Sequence, residues 1–333
     1  MTQPGPTQPS PTRSSPLLEL PGAVAGDGID AGVAAHYGSL YGEQRALAAG
    51  DGFVDLSHRD VLRVAGPDRL TWLHSLTTQY FEGLEPGRWI NALVLSPQGH
   101  IEHAFAGVDD GEAFTAHTEP GRAAALIDFL ERMKFMSRVE ISGVDDVVVA
   151  WRPTGEREPG KYDLVPRDQL STYADAAGPA AGLWAFEALR IERGEPRFGL
   201  DTDERAIPNE VGWLQDETPW SAVHLDKGCY RGQETVARVH NLGRPPRRLT
   251  LIHLDGSENR LPAPGTPITV PDGPPRPVGA IGTTARHHEL GPIGLALLKR
   301  NVATDAALDI DGLPAAQEVL VDPEIGLHFR PQR

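Results

Sequence analysis

Cys229 is the only cysteine in 333 residues, and it stands in DKGCYRGQETVARVHNLG, residues 226–243. Lys227 precedes it by two places, Arg231 follows by two, and Gly228 and Gly232 are near neighbours. The chemistry such a set supports is that of a thiolate. The thiolate is the reactive form of cysteine, and nearby cations or a helix N-terminus lower its pKa from about 8.5. A helix over ETVARVHNLG would turn its positive end back towards Cys229. The glycines would let the backbone approach a ligand or take a positive φ. The same spacing also suits a small buried hydrophobe, and spacing alone leaves both readings open. A single cysteine cannot form an intrachain disulfide or supply a four-cysteine metal or cluster site.

The elements that must position this segment are legible in outline. The N-terminus, MTQPGPTQPSPTRSSP, has five prolines in 16 residues and no apolar core of a secretory signal. We expect residues 1–25 to be a disordered tail and order to begin near Gly26. Ala31–Ala49 reads as a helix. FVDLSH and Val61–Val64 read as strands, and Asp68 is a candidate N-cap for a helix burying Leu70, Trp72, Leu73 and Leu76. INALVLSPQGHIEHAFAGV reads as a hairpin turning at Ser96-Pro97-Gln98-Gly99. Helices are expected over about Pro120–Phe135 and over Gly182–Gly194, with a strand near Tyr162–Val165 between them. After Gly243 short strands separated by glycine and proline suggest a small antiparallel barrel. The expected division is a tail (1–25), a region of two interleaved α+β subdomains (26–245) and a barrel (246–333).

Composition narrows the function. With 31 basic and 46 acidic side chains the net charge is -15. That disfavours nucleic acid as a direct ligand and an acidic membrane as a docking surface. No apolar run reaches the length of a membrane span, and the cytoplasm is the expected location. Neither GxGxxG nor GxxxxGK[ST] occurs. His287-His288 sit side by side, so on a strand they face apart and do not suggest joint metal binding. Asp109-Asp110 and Asp145-Asp146 read as turn residues. No metal site is expected. Arg244–Arg248, RPPRR, is a small basic run that could meet an anionic ligand or stand as a solvated linker.

KGCYRGQE, residues 227–234, resembles the K-G-C-Y-x-G-Q-E signature of the YgfZ family, folate-binding proteins related to the T-protein (aminomethyltransferase) of the glycine cleavage system. VDLSH, AGPDRLTWLHSLTTQ, LSPQGHIEHA, ALRIERGEPRFG and PNEVGW resemble further blocks of that superfamily, in order. RRLTLIHLDG, VGAIGTTA and GPIGLALLKR resemble its C-terminal barrel. The resemblance spans about residues 30–333. It implies an α+β, three-domain, ring-like fold around a central folate channel, ending in a small antiparallel β-barrel. It implies tetrahydrofolate or a one-carbon derivative as ligand. It also implies a role in the assembly, maintenance or repair of iron-sulfur enzymes, tRNA-thiolating enzymes among them, with those enzymes or cluster assembly proteins as partners.

Carried over residue by residue, the signature assigns Cys229 and Lys227 as the reactive pair. Gly228, Tyr230, Arg231, Gly232, Gln233 and Glu234 complete the motif, and the thiol is expected to face the folate channel. Glu192 matches the glutamate that such proteins place against the pterin, where a carboxylate can accept two parallel hydrogen bonds. The alternative is a solvated helix face paired with Arg190 or Arg193. Phe198 matches a position that lines the pterin slot or packs in the core. At LSPQGHIEHA the transferase relatives carry an aspartate for folate-linked chemistry. Glu102 and His103 stand there instead, so Glu102 is the candidate folate contact and aminomethyl transfer becomes the secondary reading. A longer carboxylate side chain would misplace a catalytic oxygen.

Overall fold

The structure, a computed structural model, describes residues 14–155, 159–271, 273 and 276–327. Residues 1–13 of the expected tail lie outside the described residues. Its remainder departs from expectation. Pro16–Glu19 form a 3-10 turn in which Ser15 accepts from the Leu17 N–H and donates to Asp55 Oδ2, and Leu17 is buried. Leu17 supplies the apolar burial that anchors this turn.

The expected helix over Ala31–Ala49 also shrinks. Only Leu40–Ala48 (α1) is helical, while Ala34–His36 is a strand paired with Val24–Ala25. Gly38, at φ +99°, separates the two, a conformation that no helix continues through. The later helices are Arg69–Leu76 (α2), Ala123–Met133 (α3), Leu170–Ala177 (α4), Leu183–Glu192 (α5) and Gln233–Leu242 (α6). α4 falls where the sequence suggested only the strand near Tyr162–Val165. Asp68 occupies the N-cap position of α2 but does not cap it, because its carboxylate takes the Arg138 backbone N–H and guanidinium instead.

Three β units surround the centre of the molecule. A five-stranded antiparallel sheet runs in the order Trp89–Leu95, Ile101–Asp109, Ala113–Thr118, Asp60–Ala65, Glu140–Val144. A four-stranded sheet runs Lys161–Pro166, Val147–Arg152, Phe53–Asp55, Ala180–Ala181, with its last pair parallel. Six antiparallel strands between Arg247 and Val319 close into a barrel, as expected after Gly243. Closure removes exposed sheet edges. One core cluster joins the five-stranded sheet, α5 and the barrel: Leu93 and Ile101 of the hairpin, Ala188 and Ile191 of α5, Tyr230 and Val236, and Leu251 and Leu295 of the barrel. The Cys229 loop is rooted through Tyr230 where these meet. No helix among the described residues is long and apolar enough to cross a membrane.

Candidate functional site

The loop is fastened on both sides of its cysteine. Lys227 is buried, and its ammonium donates to the carbonyls of His74 and Thr77 at the end of α2, with the Tyr230 ring centroid 5.2 Å away. Helix C-terminal carbonyls lack intrahelical donors, and a cation there is favourable. Burial pulls the Lys227 amine down to about 8, against the opposing carboxylate of Glu82. Tyr230 is buried in the joint core, and burial pushes its phenol up to about 12. Gly232 sits at φ +82° and opens α6; a Cβ there would lie 2.5 Å from the Ser96 carbonyl oxygen and 2.9 Å from Gly99 Cα. The motif is thus pressed against the hairpin turn, and glycine at 232 is required by the fold. Gln233 and Glu234 are the first two residues of α6, with Glu234 suited to the helix's positive end.

Between these anchors Cys229 is exposed. A Cβ at Gly228 would meet nothing within 4 Å. The two cations do not bracket the thiol as the sequence suggested. Lys227 is committed to α2, and Arg231 pairs with Glu102, Nη1 to Oε2 at 3.0 Å and Nη2 to Oε1 at 3.4 Å. Nor does Cys229 line the central cavity or its larger neighbour.

Glu102 and His103 depart from strand alternation. Val94 pairs with His103 and Leu95 with Ile101, so Glu102 is the extra residue of a β-bulge. A bulge re-aims side chains, and here both residues line one cavity of about 1320 Å³ together with Arg122, Arg132, Arg231 and Lys299. His103 packs against Phe129, and burial, aided by Arg122, Arg132 and Arg231, holds its imidazole down to about 4. Glu102 faces this larger cavity and does not line the central one. RPPRR is largely structural: Arg247 pairs with Asp203 and Glu210, and Arg248 is fully buried against the carbonyls of Lys299 and Arg300.

The central cavity, about 90 Å³, is walled by Tyr162, Phe186, Phe198, Trp213 and Trp220, with Asn91, His117 and Glu195 among its polar residues. Phe198 also lines the larger cavity, and Arg122 lies 5.5 Å from its ring. Phe198 is the shared wall. Glu192 is elsewhere. It lies 3.3 Å from His287 Nε2 and lines a separate pocket with Arg45 and His288. Two residues along a helix turn 200°, so Arg190 faces the centre and Glu192 faces away. Glu195, three residues on, reaches the cavity, as does Glu119; the Glu195 Oε2 accepts from Arg193.

The sequence reading missed a buried ionic cluster beside this cavity. Arg197 reaches Asp30 (3.0 Å), Glu119 (2.7 Å) and Glu187 (3.3 Å). Arg190 reaches Glu187 and, at 3.0 Å, Asp201, and Asp201 accepts from the barrel's Thr283 through N and Oγ1. Arg59 lies 3.5 Å from Glu119. Burial alone would raise Glu119; Arg197 and Arg59 overcome it and hold the carboxyl at about 2. Asp30 is likewise held well below the usual range, against burial, by His58 and Arg197. The cluster ties the N-terminal segment, the five-stranded sheet, α5 and the barrel together. Its signal was Arg190, a charge within the otherwise apolar helical stripe of Leu183 and Phe186. Among the described residues no group of three or more His, Cys, Asp or Glu could hold a metal ion.

The cavity lining combines aromatic faces with amide and carboxylate groups and the guanidiniums of Arg59, Arg190 and Arg197, a composition suited to a flat ring with a polar edge. Its volume is smaller than the roughly 150 Å³ cavity that admits benzene, so a flat bicyclic ring would not fit it without rearrangement of its wall.

No family model matches the chain. It is similar to an Arabidopsis thaliana protein named "Putative transferase At1g60990, chloroplastic", 27% identical over 298 residues covering 75% of this chain and 66% of that one. The chain therefore spans just under two thirds of that relative's length. It is similar also to an Aspergillus clavatus protein named "Iron-sulfur cluster assembly factor IBA57 homolog, mitochondrial", 23% identical over 328 residues covering 78% of this chain and 73% of that one. Among solved structures, the glycine cleavage system aminomethyltransferase T of Bartonella henselae superposes with a TM-score of 0.74 at 17% identity, covering 95% of this chain and 97% of that one. The chain has the aminomethyltransferase T fold.

Proposed function

We propose that this protein is a YgfZ-type accessory factor for iron-sulfur enzymes, with Cys229 as its working thiol and a reduced folate in its central cavity. The observation that carries the reading is the fastening of the 227–234 loop. Lys227, Tyr230 and Gly232 hold it to α2, the core and the hairpin, yet the thiol between them is exposed and has open space at Gly228. Holding an exposed cysteine in fixed backbone serves chemistry with a partner or ligand better than it serves packing. With no second cysteine in the chain, that chemistry is with another molecule. The relative named as an iron-sulfur cluster assembly factor supports the direction.

Tetrahydrofolate, when bound, supplies a carrier for one-carbon groups. In this chain Tyr162, Phe198, Trp213 and Trp220 would flank its ring, and Asn91 and Glu195 would meet its polar edge. Aminomethyl transfer, the activity in the name of the Bartonella neighbour, is the second reading. It is disfavoured because the carboxylate on the hairpin is a bulge glutamate held by Arg231. One set of assays separates them: tetrahydrofolate binding by titration calorimetry, aminomethyl transfer from a lipoyl carrier, and restoration of an iron-sulfur enzyme in cells lacking the gene. Binding and restoration without transfer is the expected result. Transfer activity would replace the proposal with the transferase reading, and absence of binding would remove folate from it.

A further inference from the structure

The turn after α3, RMKFMSR at residues 132–138, carries an apolar tip that nothing in the site accounts for. Phe135 is 96% exposed and Met136 92%, with Met133 half exposed behind them. Isolated exposed apolar side chains are ordinary, but two adjacent ones fully out in solvent on a turn are not. Phe135 moreover sits at φ +49°, a left-handed conformation that turns normally give to glycine or asparagine. An aromatic there has no local reason to be present.

The base of the turn is held firmly. Trp72 Nε1 donates to the Met133 carbonyl at 3.2 Å, Ser137 N donates to the Lys134 carbonyl, and Arg138 is clamped to Asp68 by its backbone N–H and guanidinium. The tip is displayed on a rigid support. The stretch holds three cations, Arg132, Lys134 and Arg138, in a chain of net charge -15, with Lys134 3.7 Å from Glu131 and Arg138 held by Asp68. Arg132 also lines the larger cavity, with Arg122 and Arg231 but also Glu102 and Asp128, and Arg231 stands two residues from Cys229.

We infer that Phe135 and Met136 are a docking knob for an acidic protein partner, seated in an apolar recess of that partner with Arg132 facing its carboxylates. Charge decides among occupants. Buried aromatic anchors ringed by complementary charge are the usual centre of a protein interface. Two apolar side chains are too little surface for a bilayer anchor, given that a single acyl chain binds only marginally.

The test places the photo-crosslinker p-benzoylphenylalanine at position 135 of the full chain in cells, identifies the major adduct, and measures binding of that protein, purified, to the unlabelled chain. The expected adduct is with one acidic protein. Its affinity should fall about tenfold or more in the Phe135→Glu/Met136→Glu variant, and also in Arg132→Glu, which leaves the apolar tip intact. Binding to the wild type should weaken as salt rises. Unchanged melting temperatures show that the variants fold. The inference is overturned if the adducts are self-adducts or lipid, if no adduct forms, or if the purified protein binds the variants as well as the wild type. Flotation with phosphatidylcholine/phosphatidylserine vesicles that depends on Phe135 would overturn it in favour of a membrane.

Discussion

Gly232→Ala and Gly228→Ala differ by four residues in position and should differ greatly in cost. At Gly232 the backbone is at φ +82°, and placing an L-residue in that region costs about 1–2 kcal/mol. The new methyl would also lie 2.5 Å from the Ser96 oxygen and 2.9 Å from Gly99 Cα, both backbone atoms. The hairpin turn and the α6 entrance must then separate, an overpacking cost of about 1–3 kcal/mol. Together these give about 2–5 kcal/mol, a large part of the roughly 5–15 kcal/mol that holds a typical protein folded. At Gly228 no atom lies within 4 Å of the added methyl and φ is not in the left-handed region, so the change should stay within about 0.5 kcal/mol. Urea unfolding followed by tryptophan fluorescence and by far-ultraviolet circular dichroism compares the two. Gly232→Ala within about 1 kcal/mol of wild type, or Gly228→Ala as damaging as Gly232→Ala, would refute the assignment of one glycine to the fold and the other to open space beside the thiol.

Lys227→Met removes two charge-assisted bonds to the end of α2. At about 1.5–3 kcal/mol each, less the desolvation regained, the loss should be about 2–4 kcal/mol, seen as faster amide exchange over residues 73–78. Arg197→Met leaves Asp30 and Glu119 buried with less counter-charge and should cost about 3–5 kcal/mol at neutral pH. In the wild type Glu119 is held at about 2, so its contribution is full above the unfolded carboxyl pKa and fades as pH falls towards 2; the variant's deficit should therefore narrow on acidification, in urea midpoints compared at neutral pH and through the interval between the unfolded pKa of 4.5 and about 2. Glu217 has the opposite sign. Burial raises its carboxyl from 4.5 to about 7, so the folded state binds more protons than the unfolded and stability falls as pH climbs from 4.5 to 7. Glu217→Gln should flatten that slope, and an unchanged slope would place it on another group.

The parts legible in the sequence are those fixed by local pattern. The hairpin at Ser96–Gly99, α3 and the glycine-punctuated barrel strands all follow from periodicity and turn chemistry. What escaped depends on contacts far apart in the chain. Glu192 looked like the inward carboxylate until the phase of α5 turned it towards His287 and left Glu195 at the cavity. Glu102 and His103 should have faced apart, but a bulge, set by the partner strand's register, gave them one cavity. Lys227 and Arg231 looked like a pair around the thiol, yet each is claimed by a partner at least 129 residues away. The Arg190–Arg197 cluster joins residues from Asp30 to Thr283, and no local window contains it.

The central claim is that a fixed, exposed thiol is the working group. Its most direct test is the activity of an iron-sulfur enzyme in cells that lack this gene and carry Cys229→Ala in its place. The side chain is exposed, so the variant should melt and express as the wild type does. The account predicts no restoration of activity by this folded variant, against full restoration by the wild type. Full restoration by Cys229→Ala would contradict it.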